Sequence, residues 1–265
     1  MARPEKPCPW RFDTAVFGHP CHHFAETAST NSLLKTLAGE GAPQGTVVTA
    51  DYQTAGRGQR RADWQSPAGE NMLISLLCRP ELHPQTALRF TLATALILRK
   101  ALVTFGPTTE LARHIKLKWP NDLIGNGKKL AGILLESIIR REKVEALIVG
   151  VGLNLNSDFS LPGLRDLNAV SCRDMLGCEI DRPAFVAHFV KTFELCYFDH
   201  IKNKLNSVTS EWERYAIHRD RAVAVQSGRE LYRGDFDGLD EQGFLRLRLA
   251  HGAHKIITNG KVVAY

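Results

Sequence analysis

The sequence predicts an α+β fold ending in a small β-barrel, on three observations. Short alternating apolar runs are interspersed with two long helical patterns. Two long strand-like runs, Lys129–Arg140 and Lys143–Asn154, are separated only by Arg141-Glu142 and read as an antiparallel central pair. From Arg221 onward the texture becomes short strands punctuated by Asp237-Gly238 and Asn259-Gly260.

In chain order, residues 1–28 read as an N-terminal extension carrying prolines and Cys8, His19, Cys21, His22 and His23. These five have metal-ligand side chains but not zinc-finger spacing, so they are read as surface histidines and reduced cysteines. Ser29-Thr30-Asn31 precedes an apolar stripe of Leu33, Leu34, Leu37 and Ala38 ending at Gly39 and Gly41, which is a capped amphipathic helix. Gly45–Asp51 and Asn71–Cys78 read as strands flanking a Gly- and Arg-rich loop, Tyr52–Glu70. Pro84–Thr104 is a long, broadly apolar helix. His114–Trp119 alternates and stops at Pro120, and Gly125–Lys129 is a tight turn. Asn156–Gly177 is irregular. Asp181 caps a helix with Pro183 in its first turn, running to about Leu205, and another helix follows near Ser207–Ile217. The implied division is 1–28 extension, 29–217 main domain and 218–265 small β-domain.

With 265 residues and 44% hydrophobic residues, the chain can bury a sizeable core and is not a disordered or fibrous chain. Its net charge of +6 favours acidic partners: phosphates, acidic proteins or nucleic acid. No apolar run reaches bilayer length, no secretory signal is evident, and six cysteines without CxxC spacing suggest the cytoplasm. Gly150-Val151-Gly152 and Gly56-Arg57-Gly58 both lack the third glycine of a dinucleotide fingerprint. Gly125–Lys129 misses the P-loop pattern.

Three segments carry candidate chemistry. Gln53–Pro67 contains Arg57, Arg60 and Arg61 among glycines, a hinged cationic loop suited to an anion that arrives and leaves, such as a triphosphate or acyl phosphate. The plain alternative is a solvated basic loop. Lys118–Glu136 (KWPNDLIGNGKKLAGILLE) puts Lys128 and Lys129 on a turn. Asp122 just before it can help hold Mg²⁺, which takes few carboxylates and completes its shell with substrate phosphates. Val149–Asn156 carries Gly150 and Gly152. Glycines in central strands serve tight packing or let a ligand approach the backbone; the latter is favoured here.

Together with Ser29-Thr30-Asn31, and in this order, these segments resemble the biotin protein ligase family over roughly residues 24–155. The Lys-Trp-Pro-Asn-Asp and Lys-Leu-Ala-Gly-Ile-Leu runs are the specific part, and the small C-terminal barrel agrees. The resemblance implies a central mixed sheet with flanking helices, the class II aminoacyl-tRNA-synthetase-like biotin–lipoate ligase fold, with an SH3-like C-terminal barrel. It implies ATP and biotin as substrates, Mg²⁺, a biotinyl-5′-adenylate intermediate, and transfer to a lysine of a biotin carboxyl carrier protein.

By position, the resemblance implies biotin contacts from Ser29, Thr30, Asn31, Gln53, Gly56, Arg57, Trp64, Lys129, Gly132 and Leu134. ATP contacts fall on Arg57, Gly58, Gln59, Arg60, Trp64, Lys129, Gly150, Gly152 and Asn154, with Asn154 facing the adenine. Arg57 and Lys129 are the catalytic pair, and Asp122 the Mg²⁺ carboxylate. Some members carry an N-terminal winged helix-turn-helix, but the 28 residues before Ser29 show no helix pair, so no operator binding is expected. The chain is expected to work as a monomer or homodimer, with no membrane partner. Two rivals stand beside this reading: a lipoate or octanoate ligase sharing the fold, and a basic nucleic-acid-binding module. The latter lacks aromatic residues interleaved with the basic ones.

Many members read Gly-Arg-Gly-Arg-Arg-Gly where this chain has Gly56-Arg57-Gly58-Gln59-Arg60-Arg61. Gln59 carries no charge, so Arg60 is expected to supply the cation that retains the intermediate. Arg60→Ala should then release biotinyl-adenylate faster than the unmutated chain in a trapping assay; equal release would refute the substitution.

Overall fold

The computed structural model describes residues 5–6, 8–203 and 205–265. Its strands are β1 (Glu5–Lys6), β2 (Cys21–Thr27), β3 (Val47–Gln53), β4 (Met72–Cys78), β5 (Ile115–Lys118), β6 (Asp122–Gly125), β7 (Lys128–Arg140) and β8 (Lys143–Leu153). Helix α1 is Thr30–Gly39, α2 Ala87–Thr104, α3 Cys172–Leu176, α4 Arg182–Lys202 and α5 Val208–Glu213. The eight strands form one sheet in the order β1-β2-β3-β4-β8-β7-β6-β5; β2 and β3 are parallel and the other neighbours antiparallel, which makes the expected mixed sheet.

Alternation along the central strands decides which helix covers which face. Val47, Leu76 and Leu147 join the large core with Phe90 and Leu92 of α2 and Phe185, Phe189 and Phe193 of α4. Their chain neighbours Val48, Leu77 and Ile148 point the other way, into a small core with Leu34 and Ala38 of α1. One face is therefore fully covered, and the other is covered by a ten-residue helix over part of its length.

Two expectations need correcting. The first concerns residues 1–28. Cys21–Thr27 is a strand of the main sheet, Trp10 and Phe17 lie in the large core, and Cys8 is disulfide-bonded to Cys21, so these two cysteines are not reduced. His23 is buried, with Nδ1 2.9 Å from the Thr49 hydroxyl and Nε2 3.5 Å from Asp51; it is not a surface histidine. The strand CHHFAET escaped the pattern reading because its polar residues are satisfied by the neighbouring strand, so apolar residues do not alternate along it. The second concerns Asp122–Gly125, which is a strand pairing with both β5 and β7, rather than the lead-in to a turn. Among the described residues, no group of three or more His, Cys, Asp or Glu can hold a metal ion, and no helix is long and apolar enough to cross a membrane.

The C-terminal strands β9 (Ala222–Ser227), β10 (Glu230–Leu239), β11 (Leu245–Arg248), β12 (His254–Ile257) and β13 (Lys261–Ala264) form an antiparallel sheet in the order β12-β11-β10-β9-β13. This five-stranded antiparallel sheet fits the expected SH3-like C-terminal domain; no ladder joins β12 to β13 among the described residues. Closure is not required for burial: Val223, Val225, Leu245, Leu247 and Val262 are part of the large core. Trp119 is 1% exposed, and its indole N–H donates to the Gly243 carbonyl at 3.0 Å. His218 Nε2 accepts from the Trp119 backbone N–H at 3.1 Å, and its ring meets Phe236 and Tyr265. Burial first, then the positive charges of Lys118 and Arg221, push the His218 pKa down to about 3, so the ring is neutral and acts as an acceptor at the joint.

One carboxylate anchors the backbone at residues 15–17. Glu194 of α4 accepts from the backbone N–H groups of Ala15 (2.7 Å), Val16 (2.8 Å) and Phe17 (2.8 Å). Burial alone would raise its pKa, but these three donors outweigh burial and lower it. A depressed carboxylate stabilises the fold above its unfolded pKa and loses that contribution as pH falls through the folded value. Glu194→Gln sets an amide N–H₂ against backbone donors and should cost about 1–3 kcal/mol at neutral pH. Urea unfolding should show that gap narrowing below pH ~4, near the unfolded carboxylate pKa.

Candidate active site

The uncovered part of the sheet is a trough made by register. Ser75 of β4 lies opposite Gly150 of β8, which lies opposite Leu134 of β7; in the next row Leu73, Gly152 and Gly132 are aligned. All six belong to the face that α1 half covers. Asn31, in the first turn of α1, sits over Gly150: a Cβ there would lie 2.2 Å from Asn31 Oδ1. The Asn31 amide donates to the Leu134 carbonyl (3.1 Å) and the Glu136 carboxylate (3.0 Å), and its Oδ1 accepts from Ser75 (2.6 Å). Ser75 is also 2.8 Å from Thr30 Oγ1. The Thr30 hydroxyl and backbone N–H donate to Gln53 Oε1 at 3.1 and 2.8 Å. Ser29 is the N-cap of α1, and its hydroxyl accepts from Ser32 N at 3.5 Å.

The loop after β3 folds back as a narrow hairpin. Trp64 N–H donates to Gly56 O (2.9 Å), Gly58 N–H to Ala62 O (2.6 Å), and Arg57 bridges Asp63. This places the Trp64 indole on the second glycine row, where a Cβ on Gly152 would lie 2.5 Å from the ring and one on Gly132 3.2 Å. The pocket beneath it has a volume of about 40 Å³, against roughly 300–1,000 Å³ for an open small-molecule site. The Trp64 ring, packed on the glycine row, occupies part of the space above the sheet. The Trp64 indole N–H is buried without a hydrogen-bond partner among the described residues.

The two expected catalytic cations flank this pocket, each paired with a carboxylate. Arg57 donates to Ser32 Oγ (2.8 Å) and Glu136 (3.1 Å). Lys129 is 2.8 Å from Asp122 and 5.6 Å from the Trp64 ring centroid. A second cavity of about 420 Å³ opens on the other side of Trp64 and Lys129. It is lined by Gln59, Arg60, Asp63, Lys118, Asp122, Lys261 and Tyr265, among others. Burial chiefly lowers the Lys118 pKa; Asp122 opposes this, while Lys261 and Lys129 lower it further. A third cavity of about 210 Å³ is lined by Asn154, Phe159, Leu167, Asn168 and Ala169 together with Trp64 and Lys129.

Of the sequence-predicted residues, Ser29, Thr30, Asn31, Gln53, Arg57, Gly58, Trp64, Lys129, Gly132, Leu134, Gly150 and Gly152 share the first pocket. Gln59, Arg60 and Asp122 line the second. Asn154 lines the third, and its amide nitrogen donates to the carbonyls of Lys129 and Val170, so it braces strand ends as well as facing the cavity. Gly56, at the base of the hairpin, lies outside the first three cavities and lines a fourth. Arg60 has φ 57° and donates to the Gly260 carbonyl of the C-terminal sheet. Asp122 alone fits a Mg²⁺ carried in on substrate phosphates rather than a resident ion. Missed by the sequence reading were Ser75, Glu136, Lys261, Tyr265, Phe159 and Leu167. Ser75 carried a legible signal, a lone hydroxyl within the apolar run MLISLLC.

Residues 24–154 match the model of the biotin/lipoate A/B protein ligase family, and residues 218–264 that of the biotin protein ligase C-terminal domain. The chain is 33% identical over 245 residues to the bifunctional ligase/repressor BirA of Bacillus spizizenii, covering 92% of this chain and 74% of that one. It is 33% identical over 229 residues to the biotin–[acetyl-CoA-carboxylase] ligase of Paracoccus denitrificans, covering 84% and 92%. The Aquifex aeolicus biotin protein ligase solved in complex with biotin and ATP superposes with a TM-score of 0.76 at 26% identity, covering 92% of this chain and 98% of that one. The chain belongs to the biotin/lipoate A/B protein ligase family.

The close seat of Asn31 on Gly150 makes a sharp test. Gly150→Ala should cost about 1–3 kcal/mol in thermal or urea unfolding, because Asn31 is fixed from three sides and cannot retreat. Gly39→Ala at the end of α1, where a Cβ meets nothing within 4 Å, should be neutral or stabilising.

Proposed function

We propose that this chain is an ATP-dependent biotin protein ligase acting on a lysine of a biotin carboxyl carrier protein. The observation that carries the reading is the adjacency of a narrow pocket with a polar hydrogen-bonding end to a cationic cavity, the two sharing Trp64 and Lys129. Thr30, Gln53 and Ser29 offer hydroxyl and amide groups to the ureido ring of biotin. A pocket built around such polar atoms rejects analogues that leave them unpaired. Phe159, Leu167 and Asn154 suit a flat, partly polar base, so the adenine takes the third cavity.

In the first step a biotin carboxylate oxygen attacks the α-phosphorus of ATP. The bond to the β-bridging oxygen breaks, and pyrophosphate leaves with the electron pair. Lys129 and Arg57 stabilise the charge that builds on the carboxylate and phosphoryl oxygens, Arg57 after exchanging Glu136 for substrate and Lys129 after sharing Asp122. Mg²⁺ held by Asp122 and the phosphates would neutralise charge on the nucleotide. Trp64 and its hairpin close over the mixed anhydride and keep water away. In the second step the deprotonated acceptor amine attacks the acyl carbon, AMP leaves, and the amine nitrogen loses its remaining surplus proton. Positioning suffices for that attack, and no enzyme nucleophile is required. The net charge of +6 suits phosphates and an acidic carrier domain. In this reading the chain works in the cytoplasm, where ATP is supplied.

Lys129→Ala should lower biotin-dependent ATP–pyrophosphate exchange by roughly 10²–10³-fold, the usual cost of losing one charge-stabilising donor. The unmutated chain should label an apo carrier domain with biotin and not with lipoate; equal turnover of lipoate would overturn the biotin assignment.

A further inference from the structure

Asn71, immediately before β4, is 1% exposed, and both polar atoms of its side chain are engaged. Its amide nitrogen donates to the Ser66 hydroxyl at 2.8 Å and to the Ser157 hydroxyl at 2.6 Å. Its Oδ1 accepts from the backbone N–H of Leu155 at 2.9 Å, and from those of Asn156 and Ser157 at 3.4 Å. Turning the carboxamide over would set its N–H₂ against three backbone donors, so it has one orientation. A backbone bond from Asn156 N–H to the Glu70 carbonyl (3.2 Å) runs alongside. The Asn71 carbonyl accepts from Arg182, whose guanidinium also pairs with Asp51 at the other root of the loop.

The two serines belong to the two segments that meet over the glycine rows. Ser66 follows Trp64 by two residues on the return limb of the hairpin, and Ser157 precedes Phe159 by two. Trp64 lines the first pocket and the third cavity, and Phe159 lines the third. One carboxamide therefore ties the segment carrying the cover of the first pocket to the segment carrying a wall of the third. The contacts to residues 155–157 brace buried backbone, as a purely structural asparagine would. The arm to Ser66 does something else: it reaches a half-buried side chain outside the core.

We infer that Asn71 is a positioning residue for adenylation, which sets Trp64 and Phe159 relative to each other through Ser66 and Ser157. This rests on the ligase reading and deepens it, and it adds no group that touches substrate. Two ligands held in neighbouring cavities react only when the carboxylate oxygen and the α-phosphorus are brought to attack distance. A slack joint between the two covers costs rate and nucleotide affinity. It leaves in place the groups offered to the polar end of biotin, Ser29, Thr30 and Gln53, which are fixed by α1 and β3.

The test uses the full chain, with kcat and KM from biotin-dependent ATP–pyrophosphate exchange, ATP binding by calorimetry with Mg²⁺ present, and a thermal melt. Ser66→Ala removes only the arm to the hairpin, at a half-buried position, so it reports even where Asn71→Ala fails to fold. It should lower kcat/KM for ATP by roughly three- to ten-fold, the scale of one lost hydrogen bond, with the KM for biotin nearly unmoved. Ser66→Thr keeps the hydroxyl and should restore most of the loss. Asn71→Ala, which also strands the N–H groups of residues 155–157, should lose more. A merely structural role would show as a lower melting temperature with both KM values unmoved, and that result overturns the inference. So does a biotin KM that rises by the same factor as that for ATP, or a Ser66→Thr variant no better than Ser66→Ala. Lack of exchange by the unmutated chain would instead sink the ligase reading. The ATP titrations would then still decide this one: Ser66→Ala binding ATP as tightly as the unmutated chain, or no ATP binding by either, overturns it.

Discussion

The site exists because three glycines fall on one face of two neighbouring central strands, Gly132 on β7 and Gly150 and Gly152 on β8. Side chains at Gly132, Gly150 and Gly152 would fill the space that Asn31 and Trp64 occupy, and the sheet would then be an ordinary half-covered surface. Their absence lets a helix terminus and a loop tryptophan rest on bare backbone a few ångströms from each other. The hydrogen-bond chain from Glu136 through Asn31, Ser75 and Thr30 to Gln53 then fixes the pocket wall from α1, β3, β4 and β7 at once. A buried polar network of this kind is stabilising only when its members are satisfied, and here the contacts close on one another.

Electrostatics complete the arrangement. Arg57 and Lys129 stand at the pocket with their charges balanced by Glu136 and Asp122, whose side chains are 19% and 15% exposed. The carboxylates are the more buried partners, the Arg57 and Lys129 side chains being 44% and 39% exposed, so each cation compensates a carboxylate held against the pocket wall. In the proposed reaction, a substrate bearing a carboxylate and phosphates would replace one set of anionic oxygens by another at these two cations.

The tryptophan of the Lys-Trp-Pro-Asn-Asp run shows how a motif residue can serve the site by packing. Trp119 borders the second cavity, is buried at the joint and donates to Gly243 of the C-terminal sheet. Its neighbours Lys118, Asn121 and Asp122 face the cavities while Trp119 pins the second domain behind them. The five-stranded sheet, whose buried apolar residues Val223, Val225, Leu245, Leu247 and Val262 belong to the main core, is thereby packed into the same frame.

By itself the sequence determined the family, the long strand pair β7–β8, the helices α1, α2 and α4, and twelve of the seventeen residues that line the first pocket. These are encoded by local period, capping residues and short motifs, which need no partner to be legible. It did not determine β2, because His23 and its neighbours trade apolar alternation for bonds to Thr49 and Asp51 on another strand. Nor did it determine the Cys8–Cys21 bond, the strand Asp122–Gly125, or the meeting of Lys261 and Tyr265 with Lys118. Each of these is a pairing between positions whose chain neighbours carry no trace of the partner. Only the folded sheet register and the docking of the C-terminal strands bring them together.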